Sequence, residues 1–510
     1  MIATSVTAPI LVLLLYVTRT DSSQALHRCG NCLSLPFRLW CSDATAIRPD
    51  RRMDLVLSSN SLVNDGRSMQ TPSLELSRNR GSAPPVLQEN DSDADVMPPG
   101  AVPGHEPHVL LATTCRLPST ARLAMELHAA GATISLIAPR GHPARVLTFL
   151  ANQAVYRATA PARTLARAIT RLQPDLVIPC DERTVRDLHA ICRHTQDTAL
   201  RAFIQRCTAP SNQFNTVTSR AELLALARAE GVRVPDNAPL PDRRALHRWL
   251  EAHATPFVIK ADGSWSGFGV RVISDARTAE HAFHALARPL SLRLALREAL
   301  LEGNYFAFRT WWRSEPPALS VQSFIDGWPA NIGVACWRGE ILATICAEAV
   351  ATETATGPST VARIIHNPEM IEAARRIVGA LNLSGLIGFD FMIEAATGAA
   401  YLIEMNPRNT PICALRLGQG RDLPEALLAR AAGRPRRERP ARTERDIIVS
   451  FPETWMLDPT NNFLRSGFHD VPWEQPALVR KLLQPERRER YLVFRLLRKA
   501  WHARQRRGTT

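Results

Sequence analysis

Two apolar stretches late in the chain, Leu386-Ile-Gly-Phe-Asp-Phe-Met-Ile393 and Ala400-Tyr-Leu-Ile-Glu-Met-Asn406, read as strands joined through Ala395-Ala-Thr-Gly398. With Thr397 at the centre of the turn, residues whose numbers sum to 794 face one another, which sets Asp390 opposite Glu404. Side-chain alternation brings Asn406 to the same face. Carboxylates so opposed stand with Cβ atoms about 5 Å apart and repel. A divalent cation removes the conflict, since Mg²⁺ takes one or two carboxylates and completes its shell with substrate phosphate oxygens. The bland alternative is a solvent-facing hairpin with incidental acids.

A second feature is a scarcity. Of 62 basic residues only Lys260, Lys481 and Lys499 are lysine, so Lys260 is alone in the first 480 positions. A compact ammonium is not interchangeable with a planar guanidinium at a tight phosphate site, which makes Lys260 a candidate functional residue. It ends the strand Pro256-Phe-Val-Ile-Lys260, and the loop Ala261-Asp-Gly-Ser-Trp-Ser-Gly-Phe-Gly269 leads into a second strand, Val270–Ile273. A Gly/Ser hairpin tip exposes amides that can fold over a polyphosphate, with Lys260 at its base. Read alone, such a loop is as often a decorative hairpin. It is no Walker loop, because its lysine precedes the glycines, and no Rossmann turn, because a third glycine is missing. A protein kinase is excluded by the lack of His-Arg-Asp and by Asp390-Phe391 continuing to Met392.

Upstream, strands alternate with helices: His108–Thr113, Ser119–Ala130 closed by Gly131, Thr133–Ala138, Ala162–Leu172 and Asp175–Pro179. That pattern predicts a parallel α/β sheet over residues 108–205. Asp181 and Glu182 follow the last strand at the end where open α/β sheets bind ligands, or Asp181 simply caps a helix. Residues 1–107 read as a disordered leader or a mis-called start; a signal peptide fits poorly, since no basic residue precedes the apolar core. Ten cysteines in 510 residues make no disulfide scaffold, and buried thiols in a reducing cytoplasm are expected. No apolar run reaches the roughly 20 residues of a membrane span.

Taken together, a Lys before a Ser/Gly loop and a hairpin reading Phe-Asp-Phe and Ile-Glu-Met-Asn-Pro-Arg resemble the ATP-grasp superfamily over residues 108–420. The resemblance implies an α/β chain of the α+β ATP-grasp type. A small preATP-grasp domain spans 108–205, a two-lobed ATP-grasp domain 206–420 and a basic helical extension 421–510. It implies ATP and Mg²⁺ (or Mn²⁺) as cofactors. By it Lys260 meets the α- and β-phosphates, and the loop carrying Gly263, Ser264, Ser266, Gly267 and Gly269 covers the γ-phosphate. Asp390, Glu404 and Asn406 hold the metal. Arg408 steadies the phosphorylated substrate; its alternative is a structural ion pair with Asp390 or Glu404. Gln322, Ser323, Phe324 and Ile325 form the hinge against adenine. Two departures stand out: Arg220 takes the place of a usual lysine, and no acid falls near Pro329–Asn331, where one commonly holds the ribose.

The implied reaction is ligation, in which a carboxylate is activated as an acyl-phosphate and then attacked by an amine or thiol. A phosphotransferase on the same scaffold, or a non-catalytic nucleotide-binding module with a basic tail, are the competitors. Ala347–Ile365 reads as substrate wall or surface loop, and Arg434–Arg445 as an Arg/Pro/Glu linker. The net charge of +14 is concentrated at residues 421–510, with 20 basic and 11 acidic side chains. Nucleic-acid binding is therefore not expected. The helical pattern of Arg487–Arg507 most simply packs on the body; its alternatives are lying peripherally on an anionic membrane or binding nucleic acid.

Overall fold

The strand–helix alternation from His108 onward closes into a four-stranded parallel sheet. Its strands are β1 (His108–Ala112), β2 (Thr133–Ala138), β3 (Asn152–Val155) and β4 (Leu176–Pro179), in the order β3-β2-β1-β4. Val109, Leu110 and Leu111 are fully buried, as continuous apolar runs in a parallel sheet must be. The edge strand β3, Asn-Gln-Ala-Val, carries no such run and gives no sequence signal. Asp181 does cap the helix Glu182–His194: it accepts from the Thr184 N–H at 3.0 Å and from the Thr113 and Thr114 hydroxyls at 2.9 and 3.0 Å.

The chain, seen as a computed structural model, is described over residues 106–262, 269–288, 291–293, 295–296, 311–312, 317–353 and 357–484. The leader up to residue 105, most of the Gly/Ser loop and the helical pattern of Arg487–Arg507 lie outside the described residues.

A second sheet holds β5 (Asn237–Pro239), β6 (Phe257–Ala261), β7 (Val270–Ile273) and β8 (Leu319–Ser323), ordered β5-β8-β6-β7. Strand alternation gives it two unlike faces. Phe257, Ile259 and Val321 bury against Leu246, Trp249 and Phe283 of the helices Arg243–Ala252 and Ala279–Ala287. Val258, Lys260, Ser320 and Gln322 form the other face, because Val258 pairs with Gln322 and Lys260 with Ser320.

The third sheet has seven strands: β9 (Gly327–Trp337), β10 (Glu340–Thr352), β11 (Ser359–Ile365), β12 (Gly385–Glu394), β13 (Ala400–Asn406), β14 (Ile447–Val449) and β15 (Phe468–His469). Their order is β13-β12-β9-β10-β11-β14-β15. Ala347–Ile365 is thus no surface loop; its two arms are paired strands, Cys346 opposite Ile365 and Glu348 opposite Arg363. The sheet also draws in β14 and β15 from beyond the boundary expected at residue 420. The helix Leu423–Ala431 buries Leu427 and Leu428 in the same core.

Arg434–Arg445 is irregular in backbone yet no free linker. Arg434 pairs with buried Glu425 at 2.6 Å and Arg439 with Asp422 at 2.7 Å. Around Glu126, which is 3% exposed, gather Arg416 at 3.1 Å, Arg439 at 3.5 Å and Arg442 at 2.7 Å, the last as a charge contact without hydrogen-bond geometry. Removing one member of a buried ionic cluster leaves the others uncompensated, at a cost of about 3–5 kcal/mol. Glu126→Ala should lower the unfolding free energy by that amount in urea titrations. A loss below about 1 kcal/mol, the range of an exposed pair, would show the cluster to be idle.

Candidate active site

The hairpin sets the site. β12 and β13 pair antiparallel with Gly388 opposite Asn406, Phe389 opposite Met405 and Asp390 opposite Glu404. Below Asp390 the register slips by one, to Phe391 opposite Leu402, leaving Ile403 as a bulge. The bulge has a consequence for which side chains face inward. Leu402 and Met405 both enter the core although they stand three positions apart, which strict alternation would put on opposite faces, while Glu404 and Asn406 turn to the other face beside Asp390. Asn406 is buried and donates through Nδ2 to Asp390 Oδ2 at 2.8 Å. Its Oδ1 accepts from Arg408 at 3.0 Å, and Arg408 also meets Glu182 of the small domain at 3.4 Å. The ion pair of Arg408 is therefore with Glu182 rather than with either hairpin acid.

Close approach of the backbone holds this face in place. A Cβ on Gly388 would stand 2.5 Å from Thr410 Cγ2, and one on Gly333 2.8 Å from Ile412 Cγ2. Only glycine lets Thr410–Cys413 lie down across the sheet next to the acids.

Lys260 is buried on the facing sheet, and burial, then the Arg220 charge, lowers its pKa to about 7. Arg220 opens the helix Arg220–Ala229 and spans two carboxylates, Asp262 Oδ1 at 2.9 Å and Glu404 Oε2 at 2.7 Å. Burial works against the guanidinium charge, but Glu404 and then Asp262 hold its pKa above the ordinary arginine value. The same contacts divide the hairpin acids. Burial would push Glu404 up, yet Arg220 and Lys260 outweigh it and keep its carboxyl below the usual range. Asp390 is pushed up to about 6, first by burial and then by Glu404. One acid is held charged and its neighbour half-poised, an electrostatic arrangement that an added cation relieves.

The structure brings Lys260, Arg220, Asp390, Glu404, Asn406 and Arg408 to one region between the second and third sheets. Gln322 is buried on the Lys260 face, Ser323 ends β8, Ile325 is partly buried, and Phe324 is 38% exposed beside them. Of the loop, Gly269 closes its base by accepting from the Ala261 N–H at 2.9 Å; Gly263, Ser264, Ser266 and Gly267 lie outside the described residues. Sequence reasoning passed over Asp262, although it immediately follows the β6 strand that carries Lys260. A solvent-open cleft with a cavity volume of about 50 Å³ runs between Glu182, Arg186, Arg220, Asp262 and Glu404.

Among the described residues no three His, Cys, Asp or Glu side chains cluster as a metal cage. Two opposed carboxylates with an amide oxygen instead suit a hard cation that draws its remaining ligands from phosphate and water. Asn331 Oδ1, on the strand next to Asp390, is buried without a hydrogen-bond partner, so the oxygen set has unused capacity.

The Lys260 shift has a definite sign. From pH 7 up to the ordinary lysine value of 10.5 the unfolded chain keeps a proton that the folded chain has released, so stability rises with pH there. Relative to Lys260→Met, the nucleotide-free protein should gain about 1 kcal/mol per pH unit over this window in urea unfolding. A difference that stays flat would mean that Lys260 holds its proton throughout.

A model of the ATP-grasp domain family matches residues 223–411. No curated protein matches the chain. Among solved structures it is similar to the biotin carboxylase–β,γ-ATP complex of Campylobacter jejuni, at 15% identity over 65% of this chain and 72% of that one, with a TM-score of 0.48. N5-carboxyaminoimidazole synthetase of Staphylococcus aureus with ADP follows at 12% identity, 64% and 78% coverage and a TM-score of 0.45. An L-amino acid ligase of Bacillus licheniformis has 12% identity, 64% and 74% coverage and a TM-score of 0.44. By the family match the chain carries an ATP-grasp domain at residues 223–411, a span that includes Lys260, Asp390, Glu404, Asn406 and Arg408.

Proposed function

We propose that the protein is an ATP- and Mg²⁺-dependent ligase that activates a small-molecule carboxylate as an acyl-phosphate for attack by an amine or thiol, with release of ADP and phosphate. The observation that carries this reading is the direct pairing of Asp390 with Glu404, with Asn406 alongside, facing a buried lysine and arginine inside an ATP-grasp domain match. Mg²⁺ bound by Asp390, Glu404 and Asn406 supplies positive charge to the phosphate oxygens.

The chain's own residues do the rest. Lys260 and Arg220 offer cationic donors to the polyphosphate, and the Gly/Ser loop offers backbone amides. Arg408, tied to Asn406 and reaching Glu182, holds an acyl-phosphate oxygen at the edge of the metal face through a charge-assisted fork. No covalent nucleophile is required, because the carboxylate attacks the γ-phosphorus itself. The need is to gather charge and align reactants. No helix among the described residues is long and apolar enough to cross a membrane, and a cytoplasmic setting, where ATP is abundant, suits this chemistry.

The test is full-length protein with MgATP and pooled carboxylates and amines, scored for both ADP and free phosphate. Lys260→Ala and Glu404→Gln should each reduce turnover at least about 100-fold, the scale of losing one group aimed at developing charge. Phosphate retained on the product would favour a phosphotransferase. Unchanged turnover in Glu404→Gln would reject the metal assignment.

A further inference from the structure

The oxygen atoms facing the candidate cation site extend to a third strand that the hairpin pattern does not include. In β9, Asn331 stands directly across from Asp390, which in turn stands across from Glu404 in β13. Directly paired residues point to the same side of a sheet, so Glu404, Asp390 and Asn331 form one row across β13, β12 and β9, with strands about 4.8 Å apart. On the far side Asn331 faces Ala347 of β10, which has no polar side chain to offer. Its Oδ1 is buried and has no donor. A buried carbonyl oxygen left unpaired costs about 1–3 kcal/mol, and in native proteins such an atom calls for an explanation: strain, a catalytic role, ordered water or an ion.

We propose that Asn331 is an oxygen donor of the divalent-cation site, supplied by β9 and adjoining the two acids and the amide of the hairpin. This rests on the metal reading of Asp390 and Glu404 given above. Three observations favour a cation over an organic donor as the partner of Oδ1. The atom lies in a row of acceptors rather than among donors. Asp390 beside it already receives an N–H from Asn406. A hard cation also gains from each added neutral oxygen without further charge repulsion between ligands. A neutral amide is what this position requires, because a third acid in the row would worsen the conflict between Asp390 and Glu404 before the cation arrives.

The experiment uses the full-length chain with ADP and Mn²⁺ as the probe, and reads the Mn²⁺ dissociation constant by electron paramagnetic resonance. Circular dichroism melts establish that each variant is folded. Asn331→Leu should weaken Mn²⁺ binding about tenfold or more, the scale seen when groups supporting a metal are removed. Asn331→Asp, which keeps an oxygen and adds charge, should bind Mn²⁺ at least as tightly as wild type. Where Leu prevents folding, Asn331→Ala provides the same reading. Wild-type affinity in the Leu or Ala variant overturns the proposal. So does an Asp variant as weak as Leu, since that result makes Asn331 an N–H donor to Asp390. Glu404→Gln separates the two levels. If it retains full Mn²⁺ affinity, the hairpin is not the metal site at all. If it loses affinity while Asn331→Leu does not, only the Asn331 assignment fails.

Discussion

Arg220 joins the two halves of the site. Its guanidinium lies between Asp262, at the root of the Gly/Ser loop, and Glu404, on the hairpin, at 2.9 and 2.7 Å. Each group alone would be a costly charge in a poorly solvated place, and together they satisfy one another. The geometry calls for arginine: a planar fork presents separate N–H groups to two carboxylates, where an ammonium offers a single point of charge. The second sheet and the third sheet are thereby held at a fixed distance by a side chain that is itself anchored at the first turn of a helix. The loop root and the hairpin of Asp390 and Glu404 are in register with each other through this one residue.

The same contact explains why the hairpin acids behave differently although they are direct neighbours. Glu404 is held ionised by Arg220 and Lys260, whereas Asp390 rises to about 6 through burial and the Glu404 charge, against the pull of the Asn406 N–H. Under the proposed metal reading, a cation would meet one full negative charge already in place and a second group whose charge it would stabilise on arrival. Lys260, lowered to about 7 in the free protein, gains its proton back when a polyanion comes beside it. Both shifts run in the direction that binding reverses, as expected of groups built for ligands rather than for each other.

How far the sequence foretold this depends on the kind of signal each residue carries. Asp390 opposite Glu404 was readable from a hairpin centred on Thr397, but the pairs beside the turn, Ile393 with Ala400 and Phe391 with Leu402, run one residue short of that register, and the extra residue at Ile403 restores it. The Ile403 bulge was not, since an extra residue in an apolar run leaves no mark in composition. Yet without it Leu402 and Glu404 would share a face. Lys260 stood out by rarity, in a chain that uses arginine almost everywhere else. Arg220 was visible as a departure from a family lysine, but its partner Asp262 lies 42 positions away and only folding brings them together. Asn331 fell where an acid was sought and so was passed over. What singles it out is an unpaired buried atom, which no pattern of letters records.

The arginines of the C-terminal region show the opposite case, a strong compositional signal that means little by itself. Residues 421–484 hold 11 basic and 9 acidic side chains, so nearly all of the surplus of 9 in 421–510 falls on the final 26 residues. Within the described part four of the guanidinium groups are committed to carboxylates: Arg430 to Glu340, Arg434 to Glu425, Arg439 to Asp422 and Glu126, Arg442 to Glu126 and Glu474. Glu126 comes from the first helix of the small domain, about 300 residues earlier in the chain. A partly buried arginine paired in this way is not available to a phosphate backbone, whose attraction depends on free cations at the surface. The Arg/Pro stretch therefore works as a strap that fastens the small domain to the sheet bearing the acids. That fastening matters to the site, because Glu182 reaches Arg408 only while the small domain stays in place.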